Sequence, residues 1–176
     1  MKELKDKIRT VPNWPKQGIM FRDITTLLKD KEGFNLMIDE FVKRYRNKKI
    51  DCVAGIESRG FIIGSALAHR LNLGFIPIRK KGKLPAEVVS EEYQLEYGID
   101  KIEIHKDSIS KGENVLLVDD LLATGGTAMA ACNLIKKVGG NIFECAFVVD
   151  LPDLKGYEKL KSKGYNVFKL VDFEGE

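Results

Sequence analysis

The sequence predicts an α/β fold, a single domain with a mainly parallel central sheet flanked by helices on both faces. Short apolar runs rich in β-branched residues alternate with segments whose apolar residues recur at helical spacing. The 176 residues fit one domain, and no internal repeat or low-complexity linker divides them. Because parallel strands need crossover connections, and these are right-handed, helices should cover both faces of the sheet.

The first half of the chain predicts two helices and two strands after a short amphipathic start. Apolar residues at helical spacing over 34–45, preceded by Asp30 as an N-cap, predict a long helix. Residues 50–56 form a short apolar run that is typical of a buried strand. Residues 61–71 then predict a helix, and residues 74–78 predict a second strand.

The second half begins with a segment of different character. Residues 80–92 combine glycine, proline and charge without a helical period, which predicts a long mobile loop. A hairpin around Gly98 is expected over residues 93–104. Five further elements follow in order: a strand over 115–118, a helix over 127–138, a strand over 141–149, a short helix over 154–160 and a last strand over 166–171.

Charge and cysteine content exclude several classes of protein. Lys plus Arg (29) exceed Asp plus Glu (26) by only 3, which is too little for nucleic-acid binding by bulk electrostatics. Cys52, Cys132 and Cys145 lack the spacing of a metal site, so we expect free buried thiols in a reducing compartment. The sequence does not open on a signal-peptide core, and no apolar stretch approaches ~18 residues. We therefore expect a cytoplasmic protein with no membrane and no nucleic acid among its partners.

The most informative segment runs from an apolar strand through two acids into a loop of small residues. Asp119 and Asp120 directly follow residues 115–118, and ligands of open α/β sheets bind beyond the carboxyl ends of strands. The loop that follows contains Ala123, Thr124, Gly125, Gly126 and Thr127. Its N–H groups, its hydroxyls and the N-terminus of the next helix suit a phosphate.

This loop differs from the common nucleotide motifs, because neither GxxxxGK[ST] nor GxGxxG is present. Carboxylates repel phosphate, so Asp119 and Asp120 must serve another part of the ligand. Ionised carboxylates accept hydrogen bonds from adjacent sugar hydroxyls, which makes a sugar phosphate the natural ligand. The alternative is a capped turn at a strand–helix junction that binds nothing.

Residues 115–128 resemble the 5-phosphoribosyl 1-pyrophosphate (PRPP) motif of the type I phosphoribosyltransferase family. Four further segments, in the family's order, are similar to its adenine-specific members: GIMFRDI at 18–24, ESRGF at 57–61, RKKGKLP at 79–85 and LEYG at 95–98. The resemblance spans nearly the whole chain. It implies one type I phosphoribosyltransferase domain over residues 1–176, with a small base-binding hood over 1–30 and a flexible catalytic loop over about 80–98.

The resemblance also implies a reaction, in which adenine and PRPP give AMP and pyrophosphate in purine salvage. Mg²⁺ is implied as the cofactor, carried by PRPP and pyrophosphate rather than by direct protein ligands. Asp119 and Asp120 are implied to bind the ribose hydroxyls and to stabilise positive charge on the sugar, while residues 123–127 bind the 5′-phosphate. Arg59 belongs to the implied pyrophosphate loop, where a cis peptide is expected near Ser58. An ordinary first-turn surface arginine is the alternative.

Glu96 is the implied general acid/base of this reaction, and Tyr97 is implied to stabilise the closed loop and to bind PRPP or AMP. Adenine loses its N9 proton as the new bond forms, and a carboxyl group near N7 can redistribute that charge. Closure of the loop would deliver Glu96 and exclude water together. Without the resemblance, Glu96 would be an ordinary exposed strand residue.

The implied base pocket lies at Met20, Phe21 and Arg22. A backbone carbonyl and N–H of Met20 and Arg22 would read the N6 donor and the N1 acceptor of adenine. Leu151 is expected to pack on the opposite face of the ring, and Phe21 either walls the pocket or belongs only to the core. Trp14, in a proline-flanked loop, is expected to pack against the core.

Four cations fall within five residues and form the second implied anion-binding segment: Arg79, Lys80, Lys81 and Lys83. Three of them, Arg79, Lys80 and Lys83, are candidates for binding PRPP. In the family this segment lies near the interface of a homodimer and can reach the neighbouring subunit's site. A solvated charged face is the alternative.

Two other functions remain open at the level of the sequence. A phosphoribosyltransferase for hypoxanthine, xanthine or orotate would share the PRPP motif, and only the segments at 18–24 and 95–98 argue for adenine. A regulator that senses PRPP would use the same fold without turnover. Such a protein would normally carry an added nucleic-acid-binding region, and the sequence offers no separate module of that kind.

Overall fold

Within residues 2–94 and 98–175, which the computed structural model describes, the chain folds around a seven-stranded sheet. The strands are β1 (Arg9–Pro12), β2 (Met20–Asp23), β3 (Cys52–Ile56), β4 (Gly74–Lys80), β5 (Val88–Gln94), β6 (Ile99–His105), β7 (Asn114–Leu122), β8 (Asn141–Asp150) and β9 (Val167–Asp172). The helices are α1 (Lys2–Asp6), α2 (Thr25–Lys29), α3 (Lys31–Tyr45), α4 (Arg59–Leu71), α5 (Gly126–Lys137) and α6 (Gly156–Ser162), with a 3₁₀ turn at Pro152–Leu154.

The sheet has the strand order β5-β6-β4-β3-β7-β8-β9. Strand β3 pairs in parallel with β4 and β7, and β8 pairs in parallel with β7 and β9. Strand β6 pairs antiparallel with β4 and β5 at one edge. The prediction of a mainly parallel sheet is therefore confirmed, and the carboxyl ends of β3, β4, β7 and β8 meet at one side of the molecule.

Helices cover both faces of the sheet, as predicted. Met37 of α3 and Leu67 of α4 share a buried cluster with Val53 of β3, whereas Leu134 of α5 shares a second cluster with Leu117 of β7. Because side chains of a strand alternate between faces, the near-continuous apolar runs of β3 and β7 feed both clusters. No helix in the described ranges is long and apolar enough to cross a bilayer.

The N-terminal segment adds a second small sheet to the fold. Strands β1 and β2 pair antiparallel with each other and not with the central sheet. Leu4, Ile24 and Leu27 are fully buried and anchor this segment to the core. The expectation for Trp14 is wrong, because its side chain is 51% exposed and its ring packs edge-on against Phe21 at 4.4 Å instead.

Two local expectations are confirmed by side-chain detail. Asp30 caps α3, since its Oδ1 accepts a hydrogen bond from the Gly33 N–H at 2.6 Å. The three cysteines are buried free thiols. Sγ of Cys132 lies 3.5 Å from Sγ of Cys145 within the cluster beneath α5.

The long loop predicted over residues 80–92 is largely wrong. Residues 88–94 form β5, which pairs with β6 along its whole length. Val89 and Tyr93 pack on the cluster beneath α5, while Glu91 lies between them along the strand and pairs with Lys137 and Asn133 of that helix. The inward face of β5 is thus partly polar, and this concealed the alternation of apolar and polar residues that marks a strand. The loop between β4 and β5 spans only residues 81–87.

Candidate active site

Strand β7 leads into the predicted phosphate loop, defined as residues 123–127. The ladder with β8 continues to the pair Leu122–Asp150, so Asp119 and Asp120 lie on the strand rather than beyond it. Gly125 has φ of 74°, a left-handed conformation that glycine adopts without strain, and α5 starts at the next residue. The N-terminus of a 12-residue helix therefore opens onto the loop, where its free N–H groups favour an anion.

A cavity of about 440 Å³, called the phosphate cavity below, lies at this loop. Its walls include the whole phosphate loop, both predicted acids, Arg59 and Lys80. The structure therefore brings together candidates from three distant parts of the sequence. They meet because β3, β4 and β7 are neighbours in the sheet and end on the same side.

The two adjacent acids have different environments. Burial, together with the neighbouring charge of Asp120, raises the pKa of Asp119 well above its usual range. Asp119 Oδ1 accepts a hydrogen bond from the Asp120 N–H at 2.9 Å, and Gly60 lies so close that an added Cβ would be 2.9 Å from the same oxygen. Asp120 is 5% exposed and forms an ion pair with Arg59. Asp119 is thus positioned by a backbone hydrogen bond, and Asp120 is positioned by the Arg59 guanidinium.

Arg59 is the first residue of α4, and the Glu57–Ser58 peptide that precedes it is cis, as the resemblance implied. Its Nε donates to Oδ2 of Asp120, and the side chain keeps 40% of its surface exposed. Arg59 is therefore more than an isolated surface arginine. It joins the ends of β3 and β7 and still presents donors to the phosphate cavity.

The four-cation segment divides between two environments. Lys80 lines the phosphate cavity, and its Nζ lies 3.2 Å from Oδ2 of Asp100. The hydrogen bond to Asp100 raises the pKa of Lys80, which keeps this ammonium charged. Arg79 points away from the cavity: its Nε donates to Oε2 of Glu57 at 2.9 Å and its Nη1 donates to the carbonyl oxygen of Lys83 at 3.1 Å. Neither Arg79 nor Lys83 lines the cavity of its own chain, so their role in PRPP binding stays a prediction.

A second and more apolar cavity of about 460 Å³ adjoins the first and is called the base cavity below. It is lined by the predicted base residues Met20, Phe21, Arg22 and Leu151. The Arg22 side chain is engaged elsewhere, since its Nη1 donates to Thr10 Oγ1 at 2.7 Å and its guanidinium lies 4.7 Å from the Phe173 ring centroid. Phe21 walls the cavity, which favours the first of the two alternatives for that residue.

The two cavities share one wall. Arg59, Tyr93 and most of the phosphate loop line both of them. A ligand with a phosphate in one cavity and a flat apolar ring in the other would therefore cross this shared wall, with Asp119 and Asp120 on the phosphate-cavity side. That arrangement matches the shape of a nucleoside monophosphate.

Two polar residues beside the cavities, Tyr93 and its hydrogen-bond partner Asp100, were not predicted from the sequence. Tyr93 lines both cavities, and its hydroxyl donates to Oδ2 of Asp100 at 3.2 Å, the oxygen that also faces Lys80. Burial raises the pKa of Tyr93, and the Asp100 charge adds to the effect. Recognising a strand over residues 88–94 would have placed Tyr93 on the inward face. The ion pair between Asp100 and Lys80 joins residues far apart in the chain and leaves no signal in the sequence.

Glu96 and Tyr97 lie outside the described residues, and their roles stay predictions. Among residues 2–94 and 98–175, no group of three or more His, Cys, Asp or Glu side chains is arranged to hold a metal ion.

The fold is that of a phosphoribosyltransferase. Residues 24–176 match the Phosphoribosyl transferase domain model, and the chain belongs to this family. One relative, from Chlorobium luteolum, is named adenine phosphoribosyltransferase and is 62% identical over 175 residues, which cover 98% of this chain and 99% of that protein.

Two solved structures extend the comparison. The adenine phosphoribosyltransferase of Thermoanaerobacter pseudethanolicus superposes with a TM-score of 0.93 at 48% identity, covering 98% of this chain and 99% of that one. The Saccharomyces cerevisiae enzyme, solved with adenine and an iminoaltritol bisphosphate, gives a TM-score of 0.90 at 42% identity, with 97% of each chain covered. Both carry the same mostly parallel sheet flanked by helices.

Proposed function

We propose that this protein is an adenine phosphoribosyltransferase, which transfers the 5-phosphoribosyl group of PRPP to adenine and releases AMP and pyrophosphate in purine salvage. The observation that carries the proposal is the pair of cavities with a shared wall, one at a phosphate loop and the other apolar. The high identity to proteins named for this activity supports adenine as the base.

The transfer breaks the bond between the anomeric carbon and the pyrophosphate oxygen and forms a bond from that carbon to N9 of adenine. Residues 123–127 hold the 5′-phosphate through N–H groups and hydroxyls. Asp119 and Asp120 accept hydrogen bonds from the ribose hydroxyls and stabilise the positive charge that develops on the sugar. Arg59 and Lys80 offset the charge of the departing pyrophosphate, and Glu96 handles the proton that leaves N9.

Mg²⁺ fits this site as a companion of the substrate. Mg²⁺ keeps several waters and is usually bound through one or two carboxylates together with substrate phosphates. Because Asp119 and Asp120 are assigned to the ribose hydroxyls, Mg²⁺ would be carried by the phosphates of PRPP and pyrophosphate with water as its remaining ligands, and it would neutralise part of the pyrophosphate charge. We further propose that the enzyme works in the cytoplasm as a homodimer.

Base selection follows from the pattern of hydrogen-bond donors and acceptors. Adenine presents a donor at N6 beside an acceptor at N1, and the backbone of Met20 and Arg22 is proposed to read that pair. Hypoxanthine exchanges the donor for an acceptor, which would leave buried groups unpaired at a cost of ~1–3 kcal/mol per group.

The test is a turnover assay with PRPP, Mg²⁺ and each of adenine, hypoxanthine, guanine and xanthine. We expect AMP and pyrophosphate from adenine, at a kcat/KM at least tenfold above that for any other base. Turnover of another base in preference to adenine would overturn the base assignment. PRPP binding without turnover of any base would contradict the enzymatic assignment and favour a PRPP sensor.

A further inference from the structure

Gly156, the first residue of α6, lies directly against the phosphate loop although it is distant from it in sequence. An added Cβ at Gly156 would lie 2.1 Å from the carbonyl oxygen of Ala123 and 2.9 Å from the backbone nitrogen of Gly125. Both atoms belong to the backbone, so no rotamer change can relieve the overlap. Only glycine allows α6 to approach the loop this closely.

The approach is reciprocal. An added Cβ at Gly125 would lie 3.2 Å from both Cα and the carbonyl oxygen of Gly156. The two glycine backbones are therefore packed face to face. Gly125 also needs its left-handed φ of 74°, whereas Gly156 is required by space alone.

Helix α6 is anchored in the core on its side of this contact. Its Leu160 is fully buried in the cluster beneath α5, and the Leu160 carbonyl accepts from the Tyr165 N–H at 3.2 Å. Residues 123–125 lie beyond the last ladder pair of β7 and before the first residue of α5. A group inserted between the two backbones would consequently press on the loop, because Leu160 holds α6 in the core.

The segment that ends at Gly156 also walls the base cavity. Leu151 and Leu154 line that cavity, and two consecutive tight turns, Leu154 N–H to the Leu151 carbonyl and Lys155 N–H to the Pro152 carbonyl, both at 3.0 Å, join them to Gly156. Residues 151–156, called the bridging segment below, thus contact the base cavity at one end and support the phosphate loop at the other.

We propose that Gly156 is a positioning residue for the phosphate loop, and that the bridging segment sets the distance between the base and the 5′-phosphate. The proposal rests on the proposed function, since it concerns how the loop is held for PRPP. Gly156 acts through the backbone of Ala123 and Gly125 and does not itself line either cavity.

The test is Gly156→Ala with Gly74→Ala as a matched control. Gly74 is exposed, has no atom within 4 Å of an added Cβ and does not have a positive φ. For Gly156→Ala we expect the KM for PRPP and the Kd for ribose 5-phosphate to rise by about tenfold or more, because small misplacements of binding groups have large effects. Gly74→Ala should leave both constants unchanged. Wild-type constants in Gly156→Ala, with only the Tm or the active fraction lowered, would overturn the proposal.

The two proposals fail in different ways. Absence of turnover by the wild-type protein would contradict the proposed function, and the ribose 5-phosphate affinities of the two variants would still decide on Gly156. If Gly156→Ala does not fold, hydrogen exchange on the wild-type protein gives the answer. Ribose 5-phosphate should slow exchange in a peptide over residues 152–160 but not in one over residues 139–144 at the other end of β8. Unchanged exchange over residues 152–160 would overturn the inference.

Discussion

At the scale of single residues, Asp119 combines a proposed role in ribose binding with an unfavourable electrostatic environment. Its carboxyl is buried beside the charge of Asp120, which raises its pKa, so the folded state resists ionisation of this group. In the unfolded chain the same carboxyl has an ordinary pKa. The folded protein therefore loses stability as the pH rises from the unfolded pKa to the folded one, and the loss persists at neutral pH.

We expect Asp119→Asn to raise the Tm at pH 7 while it raises the KM for PRPP. The amide oxygen keeps the hydrogen bond from the Asp120 N–H but carries no charge. Thermal denaturation from pH 7 down to about 3.5 should show the Tm gain shrinking as the wild-type carboxyl becomes protonated. Asp120→Asn is the contrasting control, since it removes the partner of Arg59 and should lower the Tm. A lower Tm for Asp119→Asn at pH 7 would contradict the argument.

Glu96 is a second prediction at this scale. Glu96→Gln keeps the size of the side chain but cannot exchange a proton with the base. We expect kcat with adenine to fall by ~10²–10⁴-fold while the KM for PRPP stays within about twofold. Glu92→Gln is the matched control, because Glu92 is exposed on β5 and its Oε1 lies 3.5 Å from Nζ of Lys101. Unchanged turnover by Glu96→Gln would remove this residue from the mechanism.

At the scale of elements, α3 is joined to β8 by a partly buried network away from the proposed active site. Arg44 binds Glu144 through two hydrogen bonds of 2.7 and 2.8 Å, and the Tyr45 hydroxyl donates to Glu144 at 2.7 Å. Burial raises the pKa of Tyr45, and the hydrogen bond to Glu144 adds to it, so the phenol stays a donor. All three contacts converge on a carboxylate near the start of β8, at the end of the sheet opposite the cavities.

We expect Glu144→Gln to lower the free energy of unfolding by about 1–3 kcal/mol, because an amide cannot accept from three donors through both of its terminal atoms. Urea denaturation measures the change, and kcat and both KM values should stay unchanged. Arg70→Gln is the matched control: its ion pair with Asp39 is exposed on both sides and should matter by less than about 0.5 kcal/mol. If Glu144→Gln lowered the free energy of unfolding by no more than Arg70→Gln does, the network would not stabilise the fold as argued.

The elements also define what the sequence can reveal about the fold. Helix α3 was predictable from its helical apolar period and its capping side chain, and strands β3 and β7 were predictable from their continuous apolar runs. Strand β5 was missed because Glu91 faces α5 and is satisfied by Lys137, so its polar side chain breaks the expected alternation. The same limit applies to the site. Asp119, Asp120 and the phosphate loop are contiguous and could be recognised, whereas the approach of Gly156 depends on distances between segments far apart in the chain.

At the scale of the whole molecule, the order of strands decides which charges meet. The acids, Arg59 and Lys80 converge because β3 lies between β4 and β7. Arg79 follows a different course, since Glu57 and the Lys83 carbonyl hold it outside the phosphate cavity of its own chain. If Arg79 and Lys83 bind PRPP, they therefore do so in the site of a second copy of the chain, which is consistent with the proposed homodimer.

Subunit complementation tests this arrangement. Asp120→Asn and the double variant Arg79→Gln/Lys83→Gln should each be impaired alone, the latter through a higher KM for PRPP. In a heterodimer of the two, one site receives both defects and the other receives neither. Coexpression with two different tags, followed by purification through both, should then yield dimers with about half of the wild-type activity, since one site of two is intact.

The matched control for complementation is a heterodimer of Asp119→Asn and Asp120→Asn, whose defects fall on the same wall of the site and leave no intact site. It should show no recovery of activity. If Arg79 and Lys83 served their own chain, the first heterodimer would also carry one defect in every site and would recover nothing. Failure to recover any doubly tagged protein would contradict the homodimer itself. Recovery of that protein thus tests whether the dimer exists, and its activity tests whether the two subunits share a site.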